Sequence, residues 1–237
     1  MYTLNTAARF ARDLISPFAR VLFPIRWKEF NELHYWKRAR KARELSNTHF
    51  RNFYTAHFGL SDSFYTAKTI LDIGCGPRGS LEWATMAARR IGLDPLACEY
   101  LRLGADRHEM EYIDAPSERI PLDEGACDVV CSFNSLDHVE NVALTIQEIK
   151  RVTRDGGLFL LLVEVNHAPT DCEPHRLSPR GLVDILKPEL VCQTLRVYRP
   201  TAHGLYHSLR ANELVAQPLD ATDVCYMSAK FLRTKTA

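Results

Sequence analysis

The sequence lacks any apolar run long enough to cross a bilayer: its longest, GLFLLLV at 157–163, falls far short of the roughly 20 residues a spanning helix needs. It also lacks the uninterrupted apolar segment of an export signal near its N-terminus, so a cytoplasmic location is expected. No Cys-x-x-Cys pair occurs, and the seven cysteines (75, 98, 127, 131, 172, 192 and 225) are odd in number and scattered. That pattern argues against a disulfide framework and against a cysteine zinc site. No internal repeat or low-complexity tract is visible, and there is almost no net charge, 30 basic against 29 acidic residues.

The near-neutral total hides an asymmetry. Residues 1–51 carry eleven lysines and arginines against four acids, a surplus of seven, so the net +1 of the whole leaves about −6 on the remainder. A basic extension beside an acidic body either packs on that body or meets an anionic partner. Within it, Phe10, Leu14, Phe18, Val21 and Leu22 recur at helical spacing around Ser16-Pro17, which predicts one kinked or two short amphipathic helices over 5–22. After Pro24, Phe30, Leu33, Trp36 and Ala39 line one side of a second helix rich in lysine and arginine. The reading is a helical extension over 1–55 and one domain over 56–237.

From Thr69 the pattern changes to short apolar runs, TILDIG, RRIGLD, MEYIDA, CDVVCSF, GLFLLLVEV, LVCQTLRVY and CYMSAKFLR, most of them separated by helix-like segments. Strands alternating with helices imply βαβ units and an α/β fold. The fifth run is almost wholly apolar, as a central strand covered on both faces should be. The last two alternate, with no obvious helix between them, and are expected to form an antiparallel edge. The prediction is a seven-stranded mixed sheet, mostly parallel.

The stretch LDIGCGPRG places glycines at 74, 76 and 79 after the first strand. Residues without a Cβ let backbone and ligand approach closely, which serves a dinucleotide and a sulfonium nucleotide equally. Asp94, ending RIGLD, suits ribose hydroxyls of either ligand. Asp72 discriminates: a carboxylate two residues before the first glycine suits a ligand bearing an ammonium and a sulfonium and would repel a pyrophosphate. With this the sequence resembles the class I S-adenosylmethionine-dependent methyltransferase family. LDIGCGPRG is similar to its first motif, IGLDPL to its second, ERIPLDEGACDVVCSFNSLDHV to the stretch through its fourth strand, and EIKRVTRDGGLFLLLVEV to the approach through its fifth. Together these cover roughly residues 69–166 in the family's order.

The resemblance implies a Rossmann-like fold and S-adenosyl-L-methionine as cofactor. Asp72 would then reach the amino end of the methionine moiety, and Gly74, Gly76 and Gly79 would form the turn. Asp94 would accept from the ribose, Pro95 would pack on the adenine, and Ser117, Glu118 and Asn134 would edge the donor. Many members carry an aspartate two residues before the place of Glu118; here it is Pro116, so adenine recognition falls to Glu118 or to backbone groups. The basic extension would cover the pocket and select substrate, as in many relatives, with membrane-surface docking or RNA contact as secondary readings. A short-chain dehydrogenase is the rival. Its Tyr-x-x-x-Lys pair exists at Tyr226 and Lys230, but on a segment that alternates like a strand rather than on a helix.

Methyl transfer needs an in-line nucleophile and a base for its proton. Both candidate clusters follow strand ends, where open α/β sheets bind ligands. SFNSLDHVEN offers Asn134, Asp137 and His138; VEVNHAPTDCEPHRLS offers Glu164, Asn166, His167, Asp171, Glu173 and His175. Either His167 or His175 is expected to act as base with Glu173 orienting it, and His138 is a further candidate. Histidines rather than carboxylates dominate, so no metal is expected. His203, Tyr206 and His207 lie between the last strands as a possible cap. The acceptor is read as a polar small molecule with an O or N nucleophile, a sugar or biosynthetic intermediate, with no DNA and no recognisable RNA-binding module. An RNA or protein methyltransferase and a non-catalytic partner subunit are the alternatives; oligomeric state is not legible.

Overall fold

The computed structural model describes residues 24–42, 46–47, 50–170 and 172–235; the helices expected over 5–22, and Asp171, lie outside them. The chain divides into two compact units, 1–43 and 44–237. In the first, helix α1 (Pro24–Ala42) forms where the second helix is expected. On its anticipated apolar side Phe30 is 53% exposed, while Leu33, Trp36 and Ala39 are half-buried. Among the described residues no helix is long and apolar enough to cross a membrane.

The second unit begins before the expected boundary at 55/56. Short helix α2 (Arg51–Tyr54) buries Phe53 and Tyr54 in the body's core, and two 3-10 turns, Ala56–Phe58 and Asp62–Tyr65, add Phe58 and Tyr65. These aromatics therefore belong to the domain rather than to the extension.

The sheet comprises β1 (Thr69–Ile73), β2 (Arg89–Asp94), β3 (Glu111–Asp114), β4 (Cys127–Phe133), β5 (Thr153–Val165), β6 (Leu190–Tyr198) and β7 (Cys225–Arg233). Its spatial order is β3-β2-β1-β4-β5-β7-β6, parallel except for β7, which runs antiparallel to both neighbours. The expected seven-stranded mixed sheet is thus present. β5 lies inside it, and residues 159–163 are fully buried. Phe159, Leu161 and Val163 face one core with α4 (Val142–Val152) and α5 (Pro179–Leu186). Leu160 and Leu162 face the other, with the aromatics of α2 and with Leu205 and Leu209 of α6 (Leu205–Ala211).

The alternation of strand and helix is less regular than expected. A short helix, α3 (Ala97–Arg102), links β2 to β3, but no helix follows the glycine loop between β1 and β2, and none joins β3 to β4. Residues 74–88 run as turns instead. Pro77 and the left-handed glycines break helical continuity, and Leu81 and Ala84 are fully buried, with Trp83 edge-on to Tyr65 at 5.1 Å. Conversely, α6 stands between the last two strands, where no obvious helix is legible.

Candidate active site

The glycine loop leaves β1 in a conformation few other residues adopt. Gly74, Gly76 and Gly79 have φ of 68°, 59° and 64°, in the left-handed region that a Cβ disfavours. Gly74 is fixed twice over: its N–H donates to the Leu93 carbonyl at 2.8 Å, and a Cβ there would lie 2.3 Å from that of Ser135. Ser135, just beyond β4, donates through Oγ to the Ile73 carbonyl at 2.7 Å. The glycine loop and the exit of β4 are thereby held against each other.

Asp72 is buried on β1. Its Oδ2 accepts from Tyr54 Oη at 3.1 Å and from Ser80 Oγ. Burial pushes its carboxyl up to about 6, against the opposing pull of the hydrogen bonds from Ser80 and Tyr54. Tyr54 was not among the expected site residues; it lies on a helix that only the fold brings against β1.

Between the carboxyl's ordinary value, 3.8, and about 6 the folded state holds more protons than the unfolded one, so stability declines as pH rises through that window and is level above it. A cationic ligand reverses the preference for the neutral form. Below pH about 6 its binding must expel the Asp72 proton, so affinity should fall by about tenfold per pH unit there. Calorimetry across pH 5–8 checks this; an Asp72→Asn variant should give a flat profile.

Asp94, at the end of β2, accepts from Gly76 N–H at 3.2 Å and from Leu96 N–H at 3.0 Å, bracing the glycine loop from the neighbouring strand. Pro95 beside it is exposed. Ser117 is buried and hydrogen-bonded to Thr145 at 2.8 Å. Glu118 Oε1 accepts the backbone N–H groups of Glu140 and Asn141, each at 2.8 Å, and so ties down the start of α4. Asn134 is exposed in a left-handed turn at the end of β4, its N–H donating to Leu162 at 2.7 Å. Asn166 makes the matching turn after β5 and is clamped through Nδ2 to the carbonyls of Ala221 and Asp223. Asparagine tolerates this region better than other residues bearing a Cβ.

These two turns bring the loops after β4 and β5 together. Asp137, 1% exposed, is their centre: Oδ2 lies 3.6 Å from His167 Nε2 and Oδ1 lies 4.0 Å from His138 Nε2. Glu173 Oε1 is 3.6 Å from His138 Nε2, so Glu173 attends His138 rather than His167 or His175, the partners anticipated for it. His175 Nε2 donates to the Val139 carbonyl at 2.8 Å and pins one loop to the other. His167 Nδ1 donates to Ala168 O at 2.9 Å, and its Nε2 is buried without a hydrogen-bond partner. Burial raises the Asp137 carboxyl above its ordinary value, with His138 and His167 opposing and Glu173 adding to the rise. Glu164 faces Tyr226 across the β5–β7 pairing, and its carboxyl is raised by burial.

Tyr226 and Lys230 lie four residues apart on β7, about 13 Å along a strand. Lys230 Nζ donates to the Phe58 carbonyl, and burial pushes Tyr226 up to about 12, the reverse of an activated phenol. Tyr206, on α6, stacks on Phe50 at 4.2 Å, while His203 and His207 contact each other.

A glycine loop after β1, an acid ending β2, and a sheet whose penultimate spatial strand is the antiparallel β7 define the Rossmann-like fold of the class I S-adenosylmethionine-dependent methyltransferases. Residues 71–161 match the family model Methyltransf_11, a methyltransferase domain. A probable S-adenosylmethionine-dependent methyltransferase of Mycobacterium tuberculosis (strain ATCC 25618 / H37Rv) is 28% identical over 99 residues, 40% of this chain and 35% of that protein. The sterol 4-C-methyltransferase strm-1 of Caenorhabditis elegans is 27% identical over 115 residues, 44% of this chain and 34% of its own. The matched region thus spans about a third of these relatives' length. Among solved structures, an S-adenosylmethionine-dependent methyltransferase from Mesorhizobium loti superposes with a TM-score of 0.59 at 17% identity, over 78% of this chain and 98% of that one. Geranyl diphosphate C-methyltransferase from Streptomyces coelicolor A3(2) gives 0.53 at 20%, over 73% and 76%.

Proposed function

We propose that the chain transfers the methyl group of S-adenosylmethionine to an oxygen or nitrogen nucleophile of a polar small molecule, with His167 as general base. The observation that carries this is the contact of Gly74 with Ser135: it sets the donor loop beside the β4 exit, two residues from Asp137 and its histidines. Asp72 and the glycine loop would hold the methionine end, Asp94 the ribose, and Pro95 with Ser117 the adenine. Glu118, committed to two backbone N–H groups, would support that edge from behind, as would the turn at Asn134.

Bound there, S-adenosylmethionine would supply an electrophilic methyl group, the acceptor's lone pair forming the new bond while the carbon–sulfur electron pair goes to sulfur. The acceptor's proton goes to His167 Nε2. The Nδ1–H bond to Ala168 leaves Nε2 the lone pair, and Asp137 at 3.6 Å stabilises the imidazolium that forms. The sterol and geranyl diphosphate enzymes, named for methylation at carbon, support a small-molecule acceptor.

The test is calorimetric titration with S-adenosylmethionine and, separately, NADH. Micromolar binding of the sulfonium compound alone is expected. Asp72→Ala, which removes a buried charge partner, should weaken it by about 30-fold or more. Binding of NADH instead would overturn the assignment. Donor binding with no turnover on small-molecule, RNA or protein acceptors would favour a non-catalytic partner.

A further inference from the structure

We infer that Asp137, His138 and Glu173 form a binding site for a divalent first-row transition ion beside the proposed base. One ligand atom from each residue lies within 4.8 Å of the others. The His138 Nε2 distances, 3.6 Å to Glu173 Oε1 and 4.0 Å to Asp137 Oδ1, exceed a hydrogen bond but suit atoms sharing an ion. With bonds of about 2.0–2.2 Å, two ligands on one metal lie roughly 3.0 Å apart at right angles and about 4.4 Å apart when opposed.

A second observation points to the same ligand. Asp137 Oδ1, on a residue 1% exposed, is buried with no hydrogen-bond partner. A carboxylate oxygen in that position is costly unless a cation or donor meets it. The other oxygen, Oδ2, faces His167, so the aspartate has one oxygen for the ion and one for the base.

The ligand atoms are also oriented from behind, as metal ligands usually are. Thr170 Oγ1 donates to Glu173 Oε2 at 3.3 Å and accepts the Glu173 N–H at 3.0 Å, leaving Oε1 toward His138. The His175–Val139 bond fixes one loop to the other. Two carboxylates and one imidazole favour Mn2+, Fe2+ or Zn2+ over Mg2+ and Ca2+, which prefer all-oxygen shells. Sequence order suggested an excess of histidine, because it grouped His167 and His175 with Glu173. The fold turns His175 to the Val139 carbonyl, sets His167 against the other oxygen of Asp137, and brings Asp137 beside Glu173 and His138.

Three protein ligands leave open positions. If the proposed methyl transfer holds, an acceptor hydroxyl bound there would lose its proton more readily, with His167 to receive it; cation binding itself does not depend on that reading. The experiment is titration of chelator-treated protein with Mn2+, free ion being followed by electron paramagnetic resonance, and with Zn2+ against a chromophoric chelator. S-adenosylmethionine affinity is measured on the same preparation. One ion per chain is expected, weakened at least tenfold in Glu173→Gln and in His138→Gln, each checked for an unchanged thermal melt. Glu173, on a partly exposed loop, keeps the test decisive if substitution at Asp137 unfolds the chain. No stoichiometric ion, or binding untouched by both substitutions, overturns the site even where the donor binds. Ion binding without donor binding overturns the methyltransferase reading and leaves the site standing.

Discussion

His167→Gln should lower kcat by about 10²–10⁴-fold, the range a positioned general base contributes, while S-adenosylmethionine affinity stays within about twofold. The reason lies in the two ring nitrogens. Nδ1 is committed to Ala168 O, and Nε2 is buried, unpartnered and 3.6 Å from Asp137. Glutamine can keep a polar contact there but cannot take the acceptor's proton. Single-turnover kinetics with saturating donor separates this from a binding defect. His175→Gln is the contrast, because His175 spends Nε2 on the Val139 carbonyl; its loss should cost about 1 kcal/mol of stability and leave most of kcat. A His167 variant retaining kcat within a factor of three would remove the histidine from the mechanism.

The second large effect is expected at Gly74, whose substitution by alanine should cost about 2–5 kcal/mol and abolish donor binding. Two terms add. A Cβ in the left-handed region costs about 1–2 kcal/mol, and overpacking adds about 1–3, since the new carbon would sit 2.3 Å from Ser135 Cβ. Ser135 has no easy retreat, because its Oγ holds the Ile73 carbonyl and bonds to Ser132 at 2.8 Å. Gly59→Ala separates the terms. That glycine has the same φ of +68° with nothing within 4 Å of the added carbon, so it should show the conformational cost alone. Thermal melts of the two variants measure the difference; equal melting shifts would mean that Ser135 does not enforce the glycine.

Much of the sheet was legible because strand formation is recorded locally, in the alternation and β-branching of neighbours. RRIGLD, CDVVCSF, LVCQTLRVY and CYMSAKFLR coincide end to end with β2, β4, β6 and β7. Helices were less legible. The turn-only path from Gly74 to Ala88 rests on Leu81, Trp83 and Ala84 anchoring to aromatics from residues 53–65, a long-range contact without a local signature. The early boundary of the domain has the same origin, because Phe53 and Tyr54 look like extension residues until β1 and β4 are there to cover them.

The sequence by itself determined the glycine turn and the two acids that flank it, since these are recorded in spacing: a turn without Cβ atoms, one acid before it and one ending the next strand. Only the tertiary structure decided who stands beside whom among the proton-handling groups. Asp137 was a lesser member of its cluster, and Glu173, expected beside His167 or His175, lies 3.6 Å from His138. Pairing of β4 with β5, and the left-handed asparagines that end them, sets Asp137 between His138 and His167 and turns His175 to the backbone. The physical reason is that a turn is specified by the few residues within it, whereas a cluster drawn from two loops is specified by the register of the strands that carry them.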